Sequence, residues 1–273
     1  LKLVNGEEVD FDSFLSNKEG SKTAVTYKVL SRMGWEGIWN RLQTNGIIGA
    51  AEKPVNSIPS SFISCDPSAL CAEFCYAANG RNYSVGVVKR EMTALAIDKD
   101  PVRAAKIAAA QYKATTEHEA GKALRLLDTG EMTEKWIPFI RVLNNNGIRV
   151  QVFSKRPELL RQIPAMNLRL LSIDPSNISK ALKNEDLDVA FVYSGAKDLP
   201  TLKKIQGQVR VILPVVNSSR KGDARFLPAG ELDALPSWAD KALCPIDSGA
   251  KSLEKGWHCT KCDSGDGLPG CFF

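Results

Sequence analysis

Six short apolar runs, each separated from the next by a stretch of helical character, restrict this chain more than any other feature. They span residues 61–64, 123–127, 148–153, 168–173, 189–193 and 209–215. Runs dominated by Val, Ile and Leu suit strands buried on both faces, and parallel strands need a crossover each time, usually a helix. The alternation therefore predicts an α/β protein, a partial (β/α)6 barrel of parallel strands, with an open doubly wound sheet as the other arrangement consistent with it. Local punctuation agrees. Asp100 before Pro101 suits an N-cap and first turn for a helix through Gln111, and Gly147 after Asn144, Asn145 and Asn146 marks a helix end. Pro157 and Pro175 stand where later helices should begin.

The flanks read differently. Residues 1–57 form an N-terminal segment with a helical stretch carrying Trp35, Ile38, Trp39 and Leu42, in which the two tryptophans, four apart, are expected to share a packed face. Residues 58–222 are the expected (β/α) core. Residues 223–273 lose the alternation, gain Pro228, Pro236, Pro245 and Pro269, and carry the last four cysteines, as expected of an irregular metal-binding tail. No run approaches the roughly 18 apolar residues of a membrane span, and the acidic start with Glu7, Glu8, Asp10 and Asp12 is unlike a signal sequence; the expectation is a cytoplasmic protein. With only two histidines, His118 and His258, chemistry built on several imidazoles has few residues to draw on. A net charge of +5 is compatible with a nucleotide or nucleic-acid ligand and does not require one.

Seven cysteines make an odd count, which suits metal ligation better than a disulfide framework in a reducing compartment. Cys65, Cys71 and Cys75 follow the first apolar run. Three thiolates in one loop can hold three corners of a four-iron four-sulfur cluster and leave the fourth iron open to a ligand. A zinc site completed from elsewhere, or buried thiols without metal, are the competing readings. Cys244, Cys259, Cys262 and Cys271 supply four ligands around a Cys-x-x-Cys turn, which suits a second four-iron four-sulfur cluster or zinc, with a redox or disulfide role as the remaining alternative.

A parallel (β/α) pattern whose first strand leads into a three-cysteine loop, and whose second ends in Thr129-Gly130-Glu131-Met132, resembles the radical S-adenosylmethionine superfamily. The spacing here is Cys-x5-Cys-x3-Cys, against the superfamily's usual Cys-x3-Cys-x2-Cys, and Phe74 keeps the aromatic residue before the third cysteine. The Cys75-Tyr76-Ala77 sequence, the acidic motif after the second strand and the terminal cysteines are also similar to the gene product 88 family of phage and bacterial proteins, a likeness that brings no reaction with it.

The first resemblance implies an enzyme whose cluster on Cys65, Cys71 and Cys75 reductively cleaves S-adenosylmethionine to a 5'-deoxyadenosyl radical, fed by an electron donor such as flavodoxin or ferredoxin. It implies that Gly130 and Glu131, with Thr129 where a glycine is usual, bind the cofactor's amino group. Ser154 and Lys155 would meet its carboxylate. Tyr76 and Ser194 join the expected cofactor-binding residues, and Asp128 and Asp174 are the candidate catalytic carboxylates, each with a turn or cap role as the simpler reading. The substrate stays open, a nucleotide or nucleic acid being one expectation. Two other classes remain: a (β/α)-barrel base-exchange transglycosylase with a structural zinc and Asp128 or Asp174 as nucleophile, and a non-catalytic zinc-containing nucleic-acid-binding protein.

Overall fold

The computed structural model describes residues 22–50, 56–61, 64, 65, 67, 68, 70, 85–119, 121–214, 217, 218, 224, 225 and 229–243. Its centre is a seven-stranded sheet whose strands lie side by side in chain order: β1 Gly49–Ala50, β2 Asn56–Ile58, β3 Leu124–Leu126, β4 Val150–Ser154, β5 Leu168–Ile173, β6 Val189–Tyr193 and β7 Val209–Pro214. β1 pairs antiparallel with β2, and all later pairs are parallel. The protein is therefore α/β with a six-strand parallel sheet. A separate two-stranded ribbon pairs Asn217–Ser218 with Ala224–Arg225.

Helices fill the connections. α1 runs Lys22–Asn45, and the long β2–β3 crossover carries α2 Val85–Lys99, α3 Pro101–Lys113 and the short α4 Thr116–Glu119. α5 Trp136–Asn145, α6 Pro157–Leu160, α7 Ser179–Leu182 and α8 Leu199–Lys204 follow successive strands, and α9 Ala229–Asp233 comes after the sheet. The expected stop and start signals act as read. Asp100 accepts from the Arg103 N–H at 2.9 Å to cap α3, Gly147 takes φ +77 after α5, and α6 and the 3-10 turn Pro175–Asn177 both open on proline.

Sequential order has a consequence for the two faces of the sheet. Each right-handed crossover steps in the same direction, so the connecting helices gather on one side. On that side Leu124, Leu126, Val150, Val152, Leu171, Ile173, Val189 and Phe191 join helix residues such as Ala104, Ala108, Phe139 and Ile140 in one buried cluster. Side chains alternate along a strand, so Ser57, Arg125 and Gln151 belong to the opposite face; Arg125 is in register with both of the others.

Two departures have local causes. The first parallel strand lies at residues 56–58, ahead of the expected 61–64, because Pro59 has no N–H for the ladder and the pairing survives beyond it only as Ser60 N–H to Thr129 O, 2.9 Å. Trp39 is buried as expected and lies under the Arg103 guanidinium, whereas Trp35 is 40% exposed beside Lys99. Gly34, with φ 66 and ψ 171, breaks the helical path just before Trp35, so both tryptophans belong to the stretch after the break and only the second of them is buried. Among the described residues no helix is long and apolar enough to cross a membrane.

Candidate active site

The carboxyl ends of β2, β3 and β4 converge on Glu131. This carboxylate is 5% exposed. Its Oε1 accepts from Ser154 Oγ at 2.5 Å and from the Met132 N–H at 2.7 Å, and its Oε2 accepts from the Lys155 N–H at 3.1 Å. Burial pushes its pKa up; the three hydrogen bonds and the Lys155 charge pull the other way and are outweighed. Ser154 also accepts from the Arg156 N–H at 3.0 Å, so the end of β4 folds around the side chain delivered from β3.

The backbone of the same motif is tied to the segment that leads to Cys65. Ser60 Oγ donates to the Glu131 carbonyl at 3.1 Å. Ser64 Oγ lies 3.2 Å from both the Glu131 carbonyl and the Glu131 N–H and 2.6 Å from the Ser61 carbonyl. Thr129 Oγ1 donates to the Ser60 carbonyl at 3.1 Å. Gly130, at φ +74, passes so close that a Cβ there would lie 2.9 Å from the Ser60 carbonyl carbon and harder still against the Ser61 oxygen. Glycine is required at 130 by this crossing of two chain segments. Ser61 Oγ in turn donates to Glu91 of α2, a carboxylate that is 1% exposed and also bonds the Arg90 guanidinium.

Asp128 sits one residue after Leu127, whose φ of +61 is unusual for a bulky side chain. Its Oδ2 accepts from Ser57 Oγ at 3.0 Å, while its Oδ1 is buried without a hydrogen-bond partner. Asp174, 2% exposed at the end of β5, caps the turn that follows: Oδ1 accepts from the N–H of Ser176 at 2.8 Å, and the Asn177 side chain closes a capping box. Its Oδ2 accepts from Ser68 Oγ, so the segment after Cys65 is anchored on β5. Ser194 donates through both N–H and Oγ to Asp198 Oδ2, at 2.6 and 2.7 Å. Next to it, the buried Tyr193 hydroxyl is pushed up to about 12, by burial first and then by the charges of Glu231 and Asp198. It therefore stays protonated and donates to the Glu231 carbonyl at 2.8 Å.

Thr129, Gly130, Glu131, Ser154 and the Lys155 backbone are thus brought together, with half-buried Cys65 at the head of the adjoining segment. Asp174 joins through Ser68, whereas Ser194 belongs to the local cap at the end of β6. Cys71, Cys75 and Tyr76, and the tail ligands Cys244, Cys259, Cys262 and Cys271, lie outside the described residues. Sequence reasoning passed over Ser57, Ser60, Ser64, Glu91, Arg125 and Asp198. The signal for Arg125 was present: a single charge inside the apolar strand Ala123-Leu124-Arg125-Leu126-Leu127 is expensive to bury and calls for an explanation.

No curated protein and no solved structure matches the chain. The model of the gene product 88 family matches residues 20–263, most of its length, and the chain belongs to that family.

Proposed function

We propose that the protein is an iron-sulfur enzyme of the radical S-adenosylmethionine type, built on a partial (β/α)6 barrel. One observation supports the reading: Ser64, immediately before Cys65, is bonded to both backbone groups of Glu131, so the segment that carries Cys65 and the acidic motif share one end of adjacent parallel strands. Sequential parallel strands with helices gathered on one side also suit such a barrel, whose chemistry sits at the carboxyl ends of its strands.

The donor set fits the implied groups. Three thiolates, Cys65, Cys71 and Cys75, suit a four-iron four-sulfur cluster with one open iron. Glu131 has received three hydrogen bonds, and a carboxylate offers about four acceptor positions, so Oε2 keeps one for an ammonium group. A cluster held by Cys65, Cys71 and Cys75 would, when bound and reduced, supply the one electron for reductive cleavage of S-adenosylmethionine.

The chain's own residues orient and shield. Glu131 accepts from the amino group, and its burial excludes competing water. Ser154 has a single proton and directs it to Glu131, which makes it a positioning residue, while Lys155 offers the positive charge for the carboxylate. Thr129 and Gly130 hold the motif against Ser60 and Ser61. Cys244, Cys259, Cys262 and Cys271 would hold a second cluster or a zinc ion.

Anaerobic purification followed by iron, sulfide and zinc analysis tests this directly. About four irons per chain are expected for one cluster and about eight for two. Reduced protein should convert S-adenosylmethionine to 5'-deoxyadenosine and methionine, and Cys65→Ala should remove both the first cluster's iron and that cleavage. A protein that binds only zinc after anaerobic reconstitution and leaves S-adenosylmethionine intact overturns the proposal and favours the base-exchange or binding-module classes.

A further inference from the structure

Arg125 is the least explained group in the molecule. It lies mid-strand on the face of the sheet opposite the packed helices and is 3% exposed, yet its Nε and Nη1 have no hydrogen-bond partner. Among the described residues it forms no salt bridge, and the Phe153 ring lies 5.9 Å from the guanidinium carbon. A guanidinium cannot shed its charge at any physiological pH, and leaving it buried with idle donors is costly. Beside it, in register on the flanking strands, are Ser57 and Gln151, both buried. Ser57 links to Asp128, whose buried Oδ1 is also without a hydrogen-bond partner. Idle donors and an idle acceptor stand on neighbouring residues of one sheet face, below the strand ends that carry Glu131.

We propose that Arg125 is an anion-binding residue on the sheet face opposite the helices, holding an oxyanion, carboxylate or phosphate, of a small-molecule ligand whose own hydrogen-bond donor meets Asp128. Guanidinium is the side chain best matched to a planar carboxylate or a phosphate, and no carboxylate among the described residues pairs with it, which leaves that place to the ligand. Gln151 adds an amide beside it. That the oxyanion belongs to the substrate rests on the catalytic reading above; that Arg125 binds an anion does not.

Thermal unfolding of the anaerobically purified full chain is measured in chloride, acetate and inorganic phosphate at matched ionic strength. The wild type is expected to gain stability with acetate or phosphate over chloride, and whichever acts identifies a carboxylate or a phosphate source. Arg125→Met should abolish that gain. It should also leave the chloride midpoint unchanged or raise it by roughly 2–4 °C, because an unpaired buried charge is replaced by an apolar chain of similar length. Arg125→Lys, which keeps the charge without the planar fork, is expected to weaken the anion effect about 10-fold and supplies the comparison should the Met variant fail to fold. Equal midpoints of the wild type in all three salts, or an anion gain that survives in both variants, overturns the proposal. No step of this test needs a cluster or S-adenosylmethionine, so it can fail while cofactor cleavage stands, and the reverse.

Discussion

Glu131→Ala is expected to cost about 3–5 kcal/mol of stability, seen as a fall of roughly 10 °C or more in the unfolding midpoint. The cost arises from what stays behind: Ser154 Oγ and the N–H groups of Met132 and Lys155 all point at the carboxylate, in a place water does not reach. Each buried donor left idle costs about 1–3 kcal/mol. Glu131→Gln should be milder, since an amide oxygen can serve Ser154 and Met132, but its NH2 then faces the Lys155 N–H. The same pair of variants separates a pH effect. Burial raises the Glu131 pKa, so the folded state holds the proton more tightly than the unfolded chain does. Its contribution is then complete below the ordinary glutamate value of about 4.3 and is lost as pH rises through the higher folded value. Chemical denaturation across that range should show the wild type losing stability with rising pH and Glu131→Gln losing less. Identical slopes for the two proteins would show that Glu131 does not titrate as its burial requires.

The strands at residues 124–126, 150–154, 168–173, 189–193 and 209–214 were legible because each is an apolar run of strand length bounded by Gly, Pro, Asn or Asp. The first parallel strand was not. Asn56-Ser57-Ile58 has little apolar character of its own; its place is set by pairing with β3, which periodicity cannot reveal, and the more apolar Phe62-Ile63 drew attention instead. Glu131 with Ser154 and Lys155 was legible as a set of polar residues at strand ends, where a parallel sheet puts its chemistry. What sequence could not supply was direction. Ser154 serves Glu131 through its hydroxyl, and Gly130 is demanded by the close approach of the Ser60–Ser61 backbone. The first contact joins residues 23 positions apart and the second residues about seventy apart. Asp174 shows how two readings can hold together: it is a helix-turn cap, as the following proline suggested, and it also grips Ser68.

That double engagement makes Asp174→Ala the second large effect, with an expected loss of about 2–4 kcal/mol. The carboxylate is buried and its two oxygens serve different elements. Oδ1 takes the Ser176 N–H at 2.8 Å and the Ser176 hydroxyl at 2.5 Å, while Oδ2 takes Ser68. Removing both oxygens undoes the cap and also detaches the segment after Cys65 from β5. Asp174→Asn keeps one acceptor and should fall between the wild type and Ala. Because the cap is local and the Ser68 contact spans more than a hundred residues of chain, hydrogen exchange can resolve them. Asp174→Ala should speed exchange in peptides covering residues 64–70 as well as those after β5, whereas Ser68→Ala should affect the first region and leave the cap intact. Since the first region carries Cys65, a ligand of the proposed cluster, Asp174→Ala should on that proposal also lower the iron retained per chain in anaerobic protein. Unchanged exchange at 64–70 in Asp174→Ala would mean that the Ser68 contact does not hold the cysteine segment, and Asp174 would then act as a cap alone.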